Sequence, residues 1–412
     1  MSNSFARLIT RLVLARMPIG SLVIVEPDGR RLRLGSGSPE ATMVLHSQAA
    51  WSAFFGGSLR LADAYAEGLW TSPDLVALIR LAARNMPAID RFRSRLLPVT
   101  RPFELVRALR RPHDRDQRRR DIVAHYDLGN ELFSRMLDPT MTYSCALFEE
   151  RWTSLEEAQN AKLEMVCSKL DLGPADRVLE IGSGWGSFSI YAARTRGCHV
   201  TTTTISREQH DYVIEQVAEA GLADRVTVLS QDFRDLRGRY DKLVSIEMIE
   251  AVGWQNIGRF FEQCSRLLES DGAMLLQAIT IDDRAYEVEK ASRSFIKEYI
   301  FPGGTLPSVA VIADRLARMT DLQALDLDDI TSHYVETLRH WREAFLAHSD
   351  ELAELGYDER FRRIWTLYLA YCEAGFAERR ICDIQMLLTK PRYRSVNRVA
   401  SDAARLEREH AA

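Results

Sequence analysis

The stretch VLEIGSGWGSFS (178–189) constrains the fold of this chain more than any other. An apolar run ends in glycines at 182, 184 and 186, and a serine–aromatic segment follows. That is the strand–loop–helix entry of a nucleotide-holding α/β unit. Short β-rich runs recur downstream of it at HVTTTT (199–204), RVTVLS (225–230), DKLVSIE (241–247) and GAMLLQAI (272–279), with helical stretches between them. The alternation predicts an α/β fold with a doubly wound parallel sheet, its ligand at the carboxyl ends of the strands.

The loop is not built for a dinucleotide. G-x-G-x-x-G rests a pyrophosphate on a helix N-terminus, whereas here the third glycine comes one residue early and Ser187 stands where the pattern wants glycine. Glu180, just before the loop, would repel a pyrophosphate and attract a cation. The E-x-G-x-G arrangement is similar to that of S-adenosylmethionine-dependent methyltransferases, whose ligand is a sulfonium carrying an ammonium group. A glycine-rich turn holding no ligand is the competing reading. Many such enzymes end the second strand with an acid for the ribose; TTTTISREQ offers Thr204, Ser206 and Gln209 instead.

With 412 residues the chain has room for two domains. SLVIVEPDGRRLRLG (21–35) reads as two strands around a Pro-Asp-Gly turn, with EATMVLH beside them. WSAFFGGSLRLADAYAEGLW and SPDLVALIRLAARN have helical spacing, the second with Ser72 as N-cap. Trp51, Phe54, Phe55, Tyr65 and Trp70 suit an acyl tunnel or, more simply, a packed core; His125 reads as structural. The expected organisation is an α+β unit over 1–100, an Arg-rich linker over 101–120, a larger domain over 121–395 and a polar tail over 396–412. Residues 1–120 carry 20 Arg and no Lys against 10 acidic residues, so the remainder is strongly acidic. RPFELVRALRRPHDRDQRRR (101–120) suits nucleic acid, an acidic domain of the same chain, anionic lipid, or plain solvent. Six cysteines without C-x-x-C or metal-ligand spacing read as reduced cytoplasmic thiols, and no metal site is expected. No apolar run approaches the ~20 residues that cross a bilayer.

Six segments occur in a telling order: HYDLGNELFSRMLDPTMTYSCALFE (125–149), LEIGSGWGSFSIYAA, TTISREQ, SIEMIEAVG, KEYIFPGGTLPS and CEAGFAERRICDIQ. Together they resemble the cyclopropane-fatty-acyl-phospholipid synthase family and its mycolic-acid methyltransferase relatives, across residues 121–390. GGSLRLADAYAEGLW resembles, more loosely, the family's lipid-handling domain. The resemblance implies a Rossmann-like methyltransferase sheet that binds S-adenosylmethionine through Tyr143, Ser144, Glu180, Gly182, Gly184, Trp185, Gly186, Thr204, Ile205, Ser206, Gln209, Phe233 and Arg234. It implies methyl transfer to the cis double bond of a phospholipid acyl chain, leaving a carbocation that loses one proton to a bound bicarbonate. Cys145, Glu250, Gln277, Ile279 and Tyr334 match the bicarbonate site, and Cys372 matches an active-site cysteine. Methyl transfer to an alkene needs no covalent enzyme intermediate, so a packing role suits Cys372 better.

Two positions depart. The synthases commonly have histidine where this chain has Gln277 and Ala251. Glutamine can donate and accept hydrogen bonds but carries no proton charge. The resemblance implies a cyclopropane as the default product, and the two departures bear on the fate of the cation, with a methylene- or methyl-branched chain as the alternative and a non-catalytic lipid-binding protein as the rival of another class. A nucleic-acid methyltransferase finds no support, because no N/D-P-P-Y-type tetrapeptide or base-stacking module is present. The expected setting is cytoplasmic, peripheral to the inner face of an anionic membrane, with a homodimer possible.

Overall fold

The computed structural model describes residues 3–54, 57–86, 129–150, 153–290 and 292–394. The Arg-rich segment 101–120, Phe55, His125 and the tail from 396 lie outside the described residues, as do the expected boundaries at 100, 120 and 395.

The amino-terminal unit is a four-stranded sheet in the order β2-β1-β3-β4, built from β1 (Ser21–Val25), β2 (Arg31–Gly35), β3 (Glu40–Leu45) and β4 (Trp70–Thr71). β1 and β2 form the expected hairpin, and β3 runs parallel to β1. Helices Gly57–Ala66 and 75–86 cover the sheet. Trp51 and Trp70 are buried with Leu22, Ile24, Met43 and Leu45, so these aromatics are core, and Tyr65 stacks against Trp70 at 4.8 Å. The cap of the second helix is Asp74 rather than Ser72: the Asp74 carboxylate accepts from the Ala77 amide at 2.8 Å, while Ser72 Oγ donates to the Thr42 and Asp74 carbonyls. An acid two residues closer to the helix reaches the orphan amides that the serine cannot.

The larger sheet has seven strands in the order β10-β11-β9-β8-β5-β6-β7. β5 (Arg177–Ile181), β6 (His199–Thr204), β7 (Val226–Ser230), β8 (Tyr240–Ile246) and β9 (Leu268–Ile281) are parallel and fall where the sequence places them. β10 (Gln323–Asp329) and β11 (Ile381–Thr389) add an antiparallel edge that the sequence reading did not include. β10 hides itself because acids interrupt it, as an exposed edge strand requires. The chain moves from β5 out through β6 to β7, then returns to lay β8 on the other side of β5. A crevice opens at that switch, outside the strand ends.

The amino-terminal unit seats on the long helix Glu359–Ala377. Arg363 lies 4.7 Å from the Tyr65 ring centroid and donates to the Tyr65 carbonyl at 2.6 Å, and Arg80 and Arg84 both pair with Glu378. No helix among the described residues is long and apolar enough to cross a membrane. Asp74→Ala should cost about 1 kcal/mol, the usual worth of an N-cap. A lower thermal midpoint for the amino-terminal unit checks this, and no change would leave the helix start uncapped in effect.

Candidate functional site

The crevice between β5 and β8 holds a pocket lined by the glycine loop, the end of β6, and segments 141–144, 231–234 and 246–252. The loop is pinned by the Gly182 and Ser183 amides, which both donate to the Thr203 carbonyl at 3.0 Å. A side chain on Gly182 would meet Met248 at 2.9 Å, and one on Gly186 would meet Val213 at 3.0 Å. These two glycines serve close packing. Gly184 differs: its φ is +49°, and a Cβ there would meet no protein atom within 4 Å. The space in front of Gly184 is kept for something else.

Glu180 sits within β5, buried, and accepts from Thr202 Oγ1 of the neighbouring strand at 2.6 Å. Burial pushes its carboxyl up to about 8. Lys162, from helix Leu155–Lys169, lines the same pocket; its Nζ donates to Ser144 Oγ at 2.8 Å, and burial pulls it below the usual lysine range. Gln159 Nε2 donates to the Ser144 carbonyl at 2.9 Å, so this helix fixes the segment that carries Tyr143 and Ser144. Trp185 Nε1 donates to Asn130 at 2.8 Å. Arg234 pairs with Asp232.

A second cluster backs onto the pocket through one residue, Glu247, at the end of β8. Its backbone takes φ +48°, and the residue lines the pocket. Glu247 Oε1 accepts from the Cys145 amide and from Gln277 Nε2, each at 2.8 Å, and Oε2 accepts from the Tyr334 hydroxyl at 2.6 Å. Gln277 is directly opposite Gln385 in the sheet; its other amide contact is Asp383 at 3.2 Å, and its carbonyl accepts from Gln385 at 3.0 Å. Glu250 Oε1 accepts from the Ile279 amide at 2.6 Å, while Oε2 is buried without a partner. Burial, then the neighbouring Glu247, pushes Glu250 up to about 8. Burial and both glutamates hold Asp383 well above the carboxylate range. The Cys145 thiol is raised chiefly by burial, which keeps it neutral.

Most expected cofactor residues meet in one place. Tyr143, Ser144, Glu180, Gly182, Gly184, Trp185, Thr204, Ile205, Gln209, Phe233 and Arg234 all line the pocket. Ser206 does not: its hydroxyl accepts from the Gln209 amide as the cap of helix Arg207–Glu219, and it is fully buried. Gly186 caps the helix after the loop in a left-handed conformation. Cys145, Glu250, Gln277, Ile279 and Tyr334 converge on the second cluster. Cys372 packs against the hydrophobic core beside it, its thiol pushed up to about 12 by burial, as a packing residue should be. Sequence reading missed Glu247, Lys162 and Asp383. Each left a signal: an acid at a parallel-strand end, a lysine on the buried 158–162–166 stripe of a helix, and an acid inside an apolar strand.

The profile of the mycolic acid cyclopropane synthetase family matches residues 113–386. The chain belongs to this family. It is 39% identical over 366 residues to tuberculostearic acid methyltransferase UfaA1 of Mycobacterium tuberculosis, covering 86% of this chain and 84% of the relative. It is also 39% identical over 337 residues to cyclopropane-fatty-acyl-phospholipid synthase of Escherichia coli, covering 80% and 82%. The solved structure of mycolic acid cyclopropane synthase CmaA1 complexed with SAH and CTAB superposes with a TM-score of 0.62 at 31% identity, covering 68% of this chain and 99% of that one. This family member is thus an S-adenosylmethionine-dependent methyltransferase.

The pocket fits that cofactor. Glu180 lines it as an acid that a cationic ligand would favour, and the open space at Gly184 would let such a ligand approach the backbone. Bound there, S-adenosylmethionine supplies an electrophilic methyl. Bicarbonate does not fit the second cluster as built. The donors expected to cage it are engaged: Cys145, Gln277 and Tyr334 hold Glu247, and the Ile279 amide holds Glu250.

Gly184→Val should abolish cofactor binding by calorimetry while unfolding stays cooperative, because the new side chain enters ligand space. Wild-type affinity would leave the loop a mere turn. The raised carboxyls also set a pH dependence. Glu180 and Glu250 bind protons in the folded state that the unfolded chain releases near 4.5, so ligand-free stability should fall as pH rises from 4.5 to about 8. Glu180→Gln should flatten that slope in thermal scans across the window.

Proposed function

We propose that this enzyme methylates the cis double bond of phospholipid acyl chains and that its main product is a cyclopropane. One observation carries the reading: Tyr143 and Trp185 line the cofactor pocket and also form the wall of a buried aromatic cluster. Phe133 packs on Trp185 at 4.6 Å, Tyr143 on Trp341 at 5.1 Å, and Tyr334 on Phe376 at 4.3 Å. An alkene is a weak nucleophile and attacks a methyl only when held in line in a dry site. Aromatic faces then support the resulting carbocation without reacting with it. The Tyr143 and Tyr368 hydroxyls bond each other at 2.6 Å, which keeps their oxygens occupied near the cation.

A branched product is the second reading, and the relative named tuberculostearic acid methyltransferase favours it. Both routes share the methyl transfer and part at the proton. Loss from the new methyl with closure onto the cationic carbon gives a ring; loss from a neighbouring chain carbon leaves a methyl-branched alkene, and a 1,2-hydride shift followed by loss from the methyl leaves a methylene. Expression in a host without such an enzyme, followed by gas chromatography and proton NMR of its fatty acyl esters, separates them. Ring methylene protons should dominate. Solely branched lipid would overturn the ring and keep the methyl transfer, and unmodified lipid would end both.

The substrate stays in its bilayer, since exposing acyl carbons costs ~0.8 kcal/mol per CH₂. The amino-terminal helix Asn3–Leu14 leaves Leu8 and Leu12 more than half exposed, one turn apart, with Arg11 beside them, while Arg7 pairs with Glu26. This helix and the 101–120 arginines draw the enzyme to the anionic, cytoplasmic face of a membrane, each arginine near the surface contributing about 1 kcal/mol. Sedimentation with anionic vesicles should weaken as salt rises. Binding indifferent to salt and lipid charge would remove this reading.

A further inference from the structure

We infer that Glu247 is the built-in base of this enzyme, its carboxylate filling the place in the cluster that a bound bicarbonate was expected to take. The inference rests on the alkene methylation proposed above.

A carboxylate and a bicarbonate are both planar oxyanions that present two oxygens to the same kinds of donor. Three of the groups expected to grip the anion, the Cys145 amide, Gln277 Nε2 and the Tyr334 hydroxyl, all donate to Glu247 at 2.6–2.8 Å. No acceptor is needed to complete this set, which is what an anionic carboxylate requires. Glu247 also lines the pocket in which the cofactor loop and Tyr143 lie, the one member of this cluster among the described residues to do so. A second anion would enter beside the Glu247 carboxylate, with the acids Glu250 and Asp383 also facing it. Burying another unpaired charge there is costly.

Gln277 acquires a role from the same geometry. Its amide is held on the far side by Gln385, whose carbonyl accepts from Lys169 at 2.9 Å. With its carbonyl taken, Gln277 must present its amino group to Glu247 and Asp383. A side chain able to donate twice from one end suits a fixed carboxylate neighbour. Gln277 and Tyr334 are therefore positioning residues for Glu247.

The step balances without any further reactant. After methyl transfer the positive charge sits on an acyl carbon. A C–H bond of the new methyl breaks, its electron pair closes the third ring bond onto that carbon, and Glu247 takes the proton, returning it to solvent once product leaves.

The test measures lipid methylation on phospholipid vesicles in buffer stripped of carbon dioxide, with and without added bicarbonate. Wild-type turnover should be the same in both. Glu247→Gln should lose at least about 100-fold in turnover, the usual worth of a general base, while cofactor affinity by calorimetry stays at the wild-type value. Glu247→Gly, which empties the cage, should regain turnover when bicarbonate or formate is added. The inference is overturned if wild-type turnover requires bicarbonate. It is equally overturned if Glu247→Gln keeps its turnover, if that variant loses cofactor affinity in step with activity, or if neither anion rescues Glu247→Gly. The parent reading fails differently: wild-type enzyme that leaves lipid unmethylated in both buffers sinks both.

Discussion

The carboxylate of Glu247 holds the site together. Its hydrogen bonds tie the end of β8 to the segment carrying Cys145, to β9 through Gln277, and to helix Thr331–Ala347 through Tyr334. Hydrogen bonds to a charged group contribute about 1.5–3 kcal/mol each, and a donor left buried without its acceptor costs a similar amount. The left-handed backbone at Glu247 is the counterpart of this tie, since such strain persists only where surrounding contacts over-determine it.

Charge and dryness are balanced around it. Glu180 and Glu250 are pushed by burial toward their neutral forms, and Lys162 is pushed the same way. Phe133, Trp185, Trp341 and Tyr334 are buried together in one aromatic cluster. Aromatic faces of this kind can support a cation without reacting with it.

The amino-terminal unit is joined to this wall. Ala62 and Ala66 of helix Gly57–Ala66 pack into the same cluster as Tyr334 and Trp185, and Arg363 fastens the carbonyls of Tyr65 and Trp70 from the facing helix. Tyr299, just before the FPGG segment, donates to Asp63. Segment 301–305 in turn returns to the site, where the Thr305 amide donates to the Glu250 carbonyl at 2.9 Å. The small unit therefore packs directly on the chamber that the large sheet supports.

Local rules in the sequence determined the parallel half of the sheet and the cofactor loop. β5 through β9 are short β-rich runs bounded by helical spacing, and a glycine loop after the first strand has few ways to fold. Glu180 was legible because a carboxylate beside that loop has a direct electrostatic meaning. The antiparallel edge was not legible: an acid-rich strand such as β10 exists only because β11 offers it a ladder. Nor was Ser72 distinguishable from Asp74 as a cap, since both are good capping types and only the actual helix start chooses. In the second cluster Cys145, Glu250, Gln277, Ile279 and Tyr334 were named from the sequence, but Glu247 and Asp383 were not, and the partners of all of them were decided by the tertiary structure. Cys145, Glu247, Gln277, Tyr334 and Asp383 are spread over more than two hundred residues, and only strand order and register bring Gln277 beside Gln385 and below Glu247. A hydrogen bond depends on ångström-scale separation and direction, which residue identity and spacing along a chain do not contain across such distances.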